Sequence, residues 1–403
     1  MTWNKAESSA VQATTILSFC LVANLTSLMT FPAVMPEASR AWHLTAAEAG
    51  WVSAIYFAGY AATVPVLGWL ADRHDGRSIV AASSLLGACA SLAFFALADG
   101  FWPALAIRLV GGAALAGVHM PGLKLLTDRV EGANQSRSSA IYTSSYALGS
   151  SGSFLIAGLV ESLFGWHAVF LVGAIGPFLA ATAILRLGPA ISRRSAAASS
   201  STFADVVRNR PFMAYVLGFA GNTWEVFGIR VWFVACLSWT LSLPGNAIDL
   251  PNLALLAGLT SLAGVPASIL VAELALQRSR TCVIAGICFL SVATCLALAA
   301  TSGGNIYLVL ALLTLLQIVS FADVGALAAG AVAHADQSCR GTSLAVYALV
   351  GFVSGFLGPA TIGCVIDWSG GLNSAPAWAA AFLVMAMGST VAGAAVWTTR
   401  HSR

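Results

Sequence analysis

The chain has 403 residues, of which 58% are hydrophobic and 9% charged. A soluble domain carries roughly 25% charged residues, so this composition excludes a water-soluble globular protein. The formal net charge of +3 is spread over the ends of apolar segments, so it gives no sign of nucleic-acid binding, and no nucleic-acid partner is expected.

Long unbroken apolar runs, each near the roughly 20 residues that cross a hydrocarbon layer as helix, mark the predicted elements. They fall at 13–35, 48–71, 79–98, 101–123, 139–160 and 167–187, then at 212–236, 251–272, 281–300, 305–331, 343–366 and 377–398. A transmembrane barrel alternates polar and apolar residues and gives no such runs. The expectation is an all-α membrane protein of twelve spans. The first run is too long for the core of a signal peptide and follows Glu7 as well as Lys5, so it is read as span one.

Lys5, Arg73, Arg77, Lys124, Arg129, Arg137, Arg186, Arg193, Arg194, Arg208, Arg210, Arg278, Arg280, Arg340, Arg400 and Arg403 all fall on one side if the spans alternate, against Arg40 in the opposite loops. The positive-inside rule then places both termini in the cytoplasm of a bacterial-type inner membrane. The segment 188–210, with Arg193-Arg194-Ser195 and a run of Ala and Ser, reads as a flexible linker between bundles at 1–187 and 211–403. The halves repeat: Val64-Pro65, Asp72 and Arg77 recur as Val265-Pro266, Glu273 and Arg278, each 201 residues on. Tyr142 and Gly158 recur more loosely as Tyr347 and Gly363.

The eight cysteines form no CxxC pair or zinc spacing and lie almost wholly in apolar runs, where a thiol acts as a small hydrophobe. No metal site, nucleotide loop or catalytic grouping is present in the pattern, so neither a cofactor nor an enzymatic activity is expected.

The stretch Gly68-Trp-Leu70-Ala71-Asp72-Arg73-His74-Asp75-Gly76-Arg77 resembles the loop signature between spans two and three of the major facilitator superfamily. One residue is inserted between Arg73 and Gly76, and Ser78 stands where a second basic residue is usual. Arg108 followed by Gly111-Gly112 resembles the family's second motif. The resemblance covers the whole chain and implies two pseudo-symmetric six-helix bundles. It also implies that Gly68, Asp72, Arg73, Gly76 and Arg77 form a conformational latch. By the repeat, Glu273 and Arg278 are the matching latch residues. Asp72 would act on the start of span eleven and Glu273 on the start of span five, where a carboxylate gains about 0.3–1 kcal/mol from a helix N-terminus. The alternative is a pair of surface charges flanking a turn.

Arg108, Glu225, Arg230 and Asp323 lie inside spans four, seven and ten. Each costs about 2.5–3.5 kcal/mol near a helix centre unless paired or solvated. In the family, spans one, four, seven and ten line the central cavity. Arg108 and Arg230 lie at similar depth on opposite halves and are candidates to clamp an anion bidentately. Glu225 and Asp323 are candidate proton-coupling residues. Asn222 shares a helix face with Glu225, and Asn24 holds a similar place in span one; both are candidate solute contacts. Against this stand a structural pairing for Arg108 and an interfacial position for Asp323. Tyr56, Tyr60, Tyr142, Tyr146 and Tyr347 are candidate cavity hydroxyls, with packing equally open. His119 is a candidate proton site, with packing the favoured reading.

The expected function is secondary transport of a small solute, expected to be an anion, coupled to protons or exchange, with membrane lipid as surroundings. Spans two and eight lack the arginines of the family's nitrate carriers. Span five carries Ser151-Gly152-Ser153 in place of the Gly-Pro of its drug antiporters, and Gly358-Pro359 appears in span eleven. Export of lipophilic or cationic compounds is the second expectation. A transport-inactive receptor is the third.

Overall fold

A computed structural model describes residues 2–71, 73–130, 133–188, 203–336 and 340–401, and all regular structure among them is helical. Ten helices are long and apolar enough to cross a membrane, and the shorter apolar stretches Ala10–Leu25 and Ala168–Ile184 occupy spans one and six. The chain is an all-α multi-pass membrane protein with twelve spans.

It divides into two compact units, one of residues 1–34 and 55–197, the other of residues 35–54 and 198–403. Span one is α1 (Thr2–Leu25) followed by the short α2 (Thr30–Ala33). Then come α3 (Met35–Trp42), α4 (Ala46–Ala71), α5 (Gly76–Leu97), α6 (Phe101–Arg129), α7 (Ala133–Phe164), α8 (Ala168–Gly173) and α9 (Ile175–Ile184). In the first unit α5 packs on α6 and α9, and α1 on α7 and α9.

The remainder comprises α10 (Phe203–Arg208), α11 (Arg210–Leu241), α12 (Leu253–Leu262), α13 (Gly264–Gln277), α14 (Arg280–Ala300), α15 (Ile306–Ala322), α16 (Val324–His334), α17 (Arg340–Trp368) and α18 (Ala375–Trp397). Helix α11 is the axis of its unit: 83% of its apolar window is buried, against 33–50% for the other long helices. It packs on α15, α16, α17 and α18. Glycines permit the approach: a Cβ at Gly358 would lie 2.6 Å from the Trp224 carbonyl oxygen. Thr223 donates to the Gly351 carbonyl (2.8 Å) and Ser354 to the Ala220 carbonyl (2.6 Å), tying the two helices in both directions. Asparagines start the helices, with Asn209, Asn252 and Asn305 accepting from the first free amides of α11, α12 and α15.

Four of the twelve predicted spans are interrupted. Pro177 and Pro266 lack the N–H that would bond residues 173 and 262, and the chain breaks at Ala174 and Ala263. Span one is expected as one helix over 13–35 but breaks after Leu25. Pro32 cannot bond the Leu28 carbonyl, and Thr26 and Ser27 hydroxyls turn back onto the carbonyls of Ala23 and Asn24. The fourth break, at Asp323 within span ten, has no proline behind it.

In the second unit Asp367, at the end of α17, accepts from the amides of Ala46 (2.9 Å) and Ala47 (2.7 Å), capping α4. Beside it a Cβ at Gly50 would lie 2.9 Å from the Pro359 carbonyl oxygen, and Trp51 meets Phe356 edge to face at 5.3 Å. These contacts hold residues 46–54 in that unit.

Candidate functional site

Glu225 and Asp323 are 0% and 3% exposed, and polar side chains from three neighbouring helices converge on them. Ser291 donates to Glu225 Oε1 at 2.5 Å and Cys295 to the same oxygen at 3.4 Å, while Ser389 donates to Oε2. Asn222 Nδ2 donates to Asp323 Oδ1 at 2.7 Å and to the Ser320 carbonyl at 2.7 Å, and Cys288 reaches Asp323 Oδ2 at 3.7 Å. Asn222 therefore satisfies the backbone at the Asp323 break, which membranes tolerate only where such partners exist. All these donors are neutral. Among the described residues neither carboxylate has an ion-pair partner.

Asp323 lies eleven residues from the end of α16 and is buried. Glu225 and Asp323 are brought together along one face of α14, and Asn222 joins them through Asp323. That face carries Cys288, Ser291 and Cys295 at helical spacing. Two cysteines expected to act as small hydrophobes therefore serve as thiol donors, and Ser291 and Ser389 are site residues that sequence reasoning missed. The i, i+3, i+7 pattern on α14 was the available signal. Behind Cys288 and Ser389 lies a groove of about 390 Å³ between α14 and α18, walled by Phe289, Val292 and Trp397. The Asn222 Oδ1 atom is buried and accepts no hydrogen bond.

In the first unit Arg108 is 5% exposed. It donates from Nη1 to the Ser27 carbonyl (3.2 Å) and from Nη2 to the Leu28 carbonyl (3.0 Å), the acceptor that Pro32 leaves open. Its guanidinium stands 4.6 Å over the Tyr56 ring and borders a cavity of about 20 Å³, room for about one water. Ser153 completes the repair of span one, accepting from Met29 N (3.0 Å) and donating to the Thr26 carbonyl (2.7 Å). Asn24 donates to Ser84 (2.9 Å) and the Cys20 carbonyl (2.8 Å), so it joins α1 to α5. Arg230, 2% exposed, stands 5.2 Å over the Phe321 ring.

Of the loop signature, Asp72 lies outside the described residues. Arg73 covers the Trp69 ring at 3.9 Å. Asp75 caps α5 at Gly76 and pairs with Arg77 (2.6 Å), whose Nη1 donates to the Leu187 carbonyl (2.6 Å). Arg129 donates to the Gly188 carbonyl. The basic residues of this surface thus fasten the exit of span six. The hydrogen bond from Arg77 holds the Asp75 carboxyl below its ordinary range. Gly68 has nothing within 4 Å of a Cβ position. Glu273 and Arg278 are exposed, and their side chains make no hydrogen bond among the described residues.

Twelve spans, interrupted helices, two of which have their freed backbone met by side chains of their neighbours, and two carboxylates buried within the spans are the marks of a polytopic transporter. The sequence matches the Major Facilitator Superfamily over residues 17–359, and the chain belongs to that family. It is similar to the niacin transporter NiaP of Acinetobacter baylyi, at 32% identity over 142 residues, which are 35% of this chain and 32% of that protein. The match thus spans about a third of the curated relative's length. Among solved structures, the nucleoside transporter NupG superposes with a TM-score of 0.75 at 16% identity, covering 97% of this chain and 99% of that one. A bacterial homologue of the human lysosomal transporter Spinster gives 0.72 at 15% identity, covering 98% and 96%. At these identities the structural likeness concerns the fold.

Proposed function

We propose that this transporter moves a small organic acid across the inner membrane by alternating access, with Glu225 and Asp323 carrying the coupling proton. One observation carries the reading: two carboxylates buried within the spans are met by hydroxyl, thiol and amide donors and, among the described residues, by no cation. Each unpaired charge at mid-membrane costs about 2.5–3.5 kcal/mol. A proton removes that cost, and its release and uptake tie the charge state of the pair to the transport cycle.

The acid is a small carboxylate, as niacin is, and Arg230 and Arg108 supply the buried positive charges that favour an anion. Arg108 also has a structural part, since two of its nitrogens already serve carbonyl oxygens. The loop from Gly68 to Arg77, with Glu273 and Arg278, acts as the latch of the cytoplasmic side, and Glu273 engages in a different state from the one described.

The test is uptake into proteoliposomes. An imposed pH gradient, acid outside, accumulates nicotinic acid; Glu225→Gln and Asp323→Asn abolish accumulation and retain exchange of labelled for unlabelled solute. Accumulation in Glu225→Gln equal to the parent sinks the coupling assignment.

A second reading has one observation of its own. The apolar groove of about 390 Å³ reaches Cys288 and Ser389, one side chain short of two uncompensated carboxylates. That is a route suited to a lipophilic cation. Binding of tetraphenylphosphonium, lost in Asp323→Asn, together with no response to carboxylates would replace the first reading with this one.

A further inference from the structure

His119 of α6 belongs to a polar aromatic cluster that the acidic site does not use. Its Nδ1 lies 2.7 Å from the Tyr60 hydroxyl of α4. Tyr142 of α7 stacks beside the imidazole, ring centroids 6.2 Å apart at 22°, and Tyr146 lies at 5.2 Å. The Tyr142 hydroxyl donates to the carbonyls of Val118 (3.1 Å) and His119 (2.9 Å), which fixes this turn of α6 just before Pro121.

The other nitrogen is different. Nε2 makes no hydrogen bond among the described residues, and the residue is only partly buried. A phenol is a better donor than a neutral imidazole N–H, so Tyr60 donates to Nδ1 and the ring proton sits on Nε2. An unmet N–H facing hydrocarbon is unfavourable, and the ring is held between three helices of the first unit, so an acceptor brought to the open donor would be stabilised there.

We propose that His119 is a solute-binding residue: its Nε2–H, oriented by Tyr60, donates to a ring acceptor of a planar heteroaromatic acid lying against Tyr146. The proposal rests on the small-carboxylate reading and adds to it the class of ring. Tyr60 is a positioning residue, since it acts through His119.

The experiment measures calorimetric affinity of the full-length protein for nicotinic acid, benzoic acid and nicotinamide, with parent, His119→Phe, His119→Gln and Tyr60→Phe compared. Benzoic acid keeps the carboxylate and lacks the ring acceptor; nicotinamide keeps the acceptor and lacks the charge. The expected result is that His119→Phe weakens nicotinic acid about tenfold, the loss of one well-formed hydrogen bond, and leaves benzoic acid within about twofold. His119→Gln, which retains an N–H, and Tyr60→Phe, which frees the tautomer, lose less. Unchanged benzoic acid binding shows that the variant is folded; if His119→Phe does not fold, the Gln and Tyr60 variants decide by the same comparison. Equal losses for both acids, or none for either, overturn the proposal and leave carboxylate transport standing. Binding of nicotinamide alone, dependent on His119, upholds the site and overturns the carboxylate reading. Binding of none of the three overturns both.

Discussion

Ser291, Ser389 and Cys295 are what make Glu225 tolerable where it sits, since among the described residues no positive charge pairs with it. A hydrogen bond to a charged acceptor contributes about 1.5–3 kcal/mol, and leaving a buried group unmet costs about 1–3. Ser291→Ala should therefore lower stability by about 1–3 kcal/mol, read as thermal unfolding in detergent. In a Glu225→Gln background the same change should cost well under half as much, because the pair is one interaction and double substitutions of contacting residues are not additive. Equal costs in the two backgrounds would show that Ser291 matters for packing alone. At Asp75 the sign of a pH effect is fixed. Its carboxyl is held low, chiefly by the hydrogen bond from Arg77, with burial opposing and the charges of Arg77 and Arg129 assisting. A depressed carboxyl stabilises fully above the unfolded value near 3.9 and loses that contribution as pH falls through its folded value. The melting difference between parent and Asp75→Asn should be constant from about pH 5 to 8 and vanish in strong acid, as seen by pH-resolved thermal unfolding. Glu225 and Asp323 were legible as residues, because a charge in an apolar run stands out. The hydroxyls and thiols that serve them were not, because Ser and Cys are ordinary inside membrane helices.

A helix can be interrupted by a local cause or by its surroundings, and this protein has both kinds. The breaks at Ala174 and Ala263 follow from Pro177 and Pro266 and can be read from the chain. The break at Asp323 has no local cause in sequence and depends on Asn222 of α11, 101 residues away, to donate to the Ser320 carbonyl. The start of α4 is likewise decided elsewhere, by Asp367. Removing an acceptor that satisfies two first-turn amides costs about 0.5–2 kcal/mol. Asp367→Ala should thus speed hydrogen exchange over residues 46–54, and Asp367→Asn should do so less. Unchanged exchange in both would mean that the Gly50 and Gly363 packing, not the cap, holds this segment. Helix crossings give a sharper contrast. Gly388 and Gly221 face each other so closely that a Cβ on either would meet the other's carbonyl oxygen, whereas Gly286 of α14 has nothing within 4 Å. Gly388→Ala should destabilise by about 1–3 kcal/mol, the usual cost of overpacking. Gly286→Ala should be neutral or slightly stabilising, by at most about 1 kcal/mol. Comparable melting temperatures for the two variants would deny that α11 and α18 cross as described.

The whole molecule is governed by the bilayer. With twelve spans, an even number, both termini are expected on one side, and the distribution of basic residues in the sequence predicts that this side is the cytoplasm. A fluorescent protein fused after Arg403 should fluoresce in cells, and alkaline phosphatase fused there should be inactive; an active phosphatase would reverse the assigned orientation. The number of spans, the membrane location and membership of the major facilitator superfamily were determined by the sequence alone. The reason is that hydrophobicity over some 20 residues is a local property matched to a fixed thickness, and the loop from Gly68 to Arg77 is a contiguous motif. Which polar side chains meet was decided only by the tertiary structure. Ser389 reaches Glu225 across 164 residues and Asp367 reaches Ala46 across 321. Such meetings depend on how each helix is rotated about its axis and where it crosses its neighbours. That is set by the packing of all the helices in a unit together, and a single apolar run does not encode it.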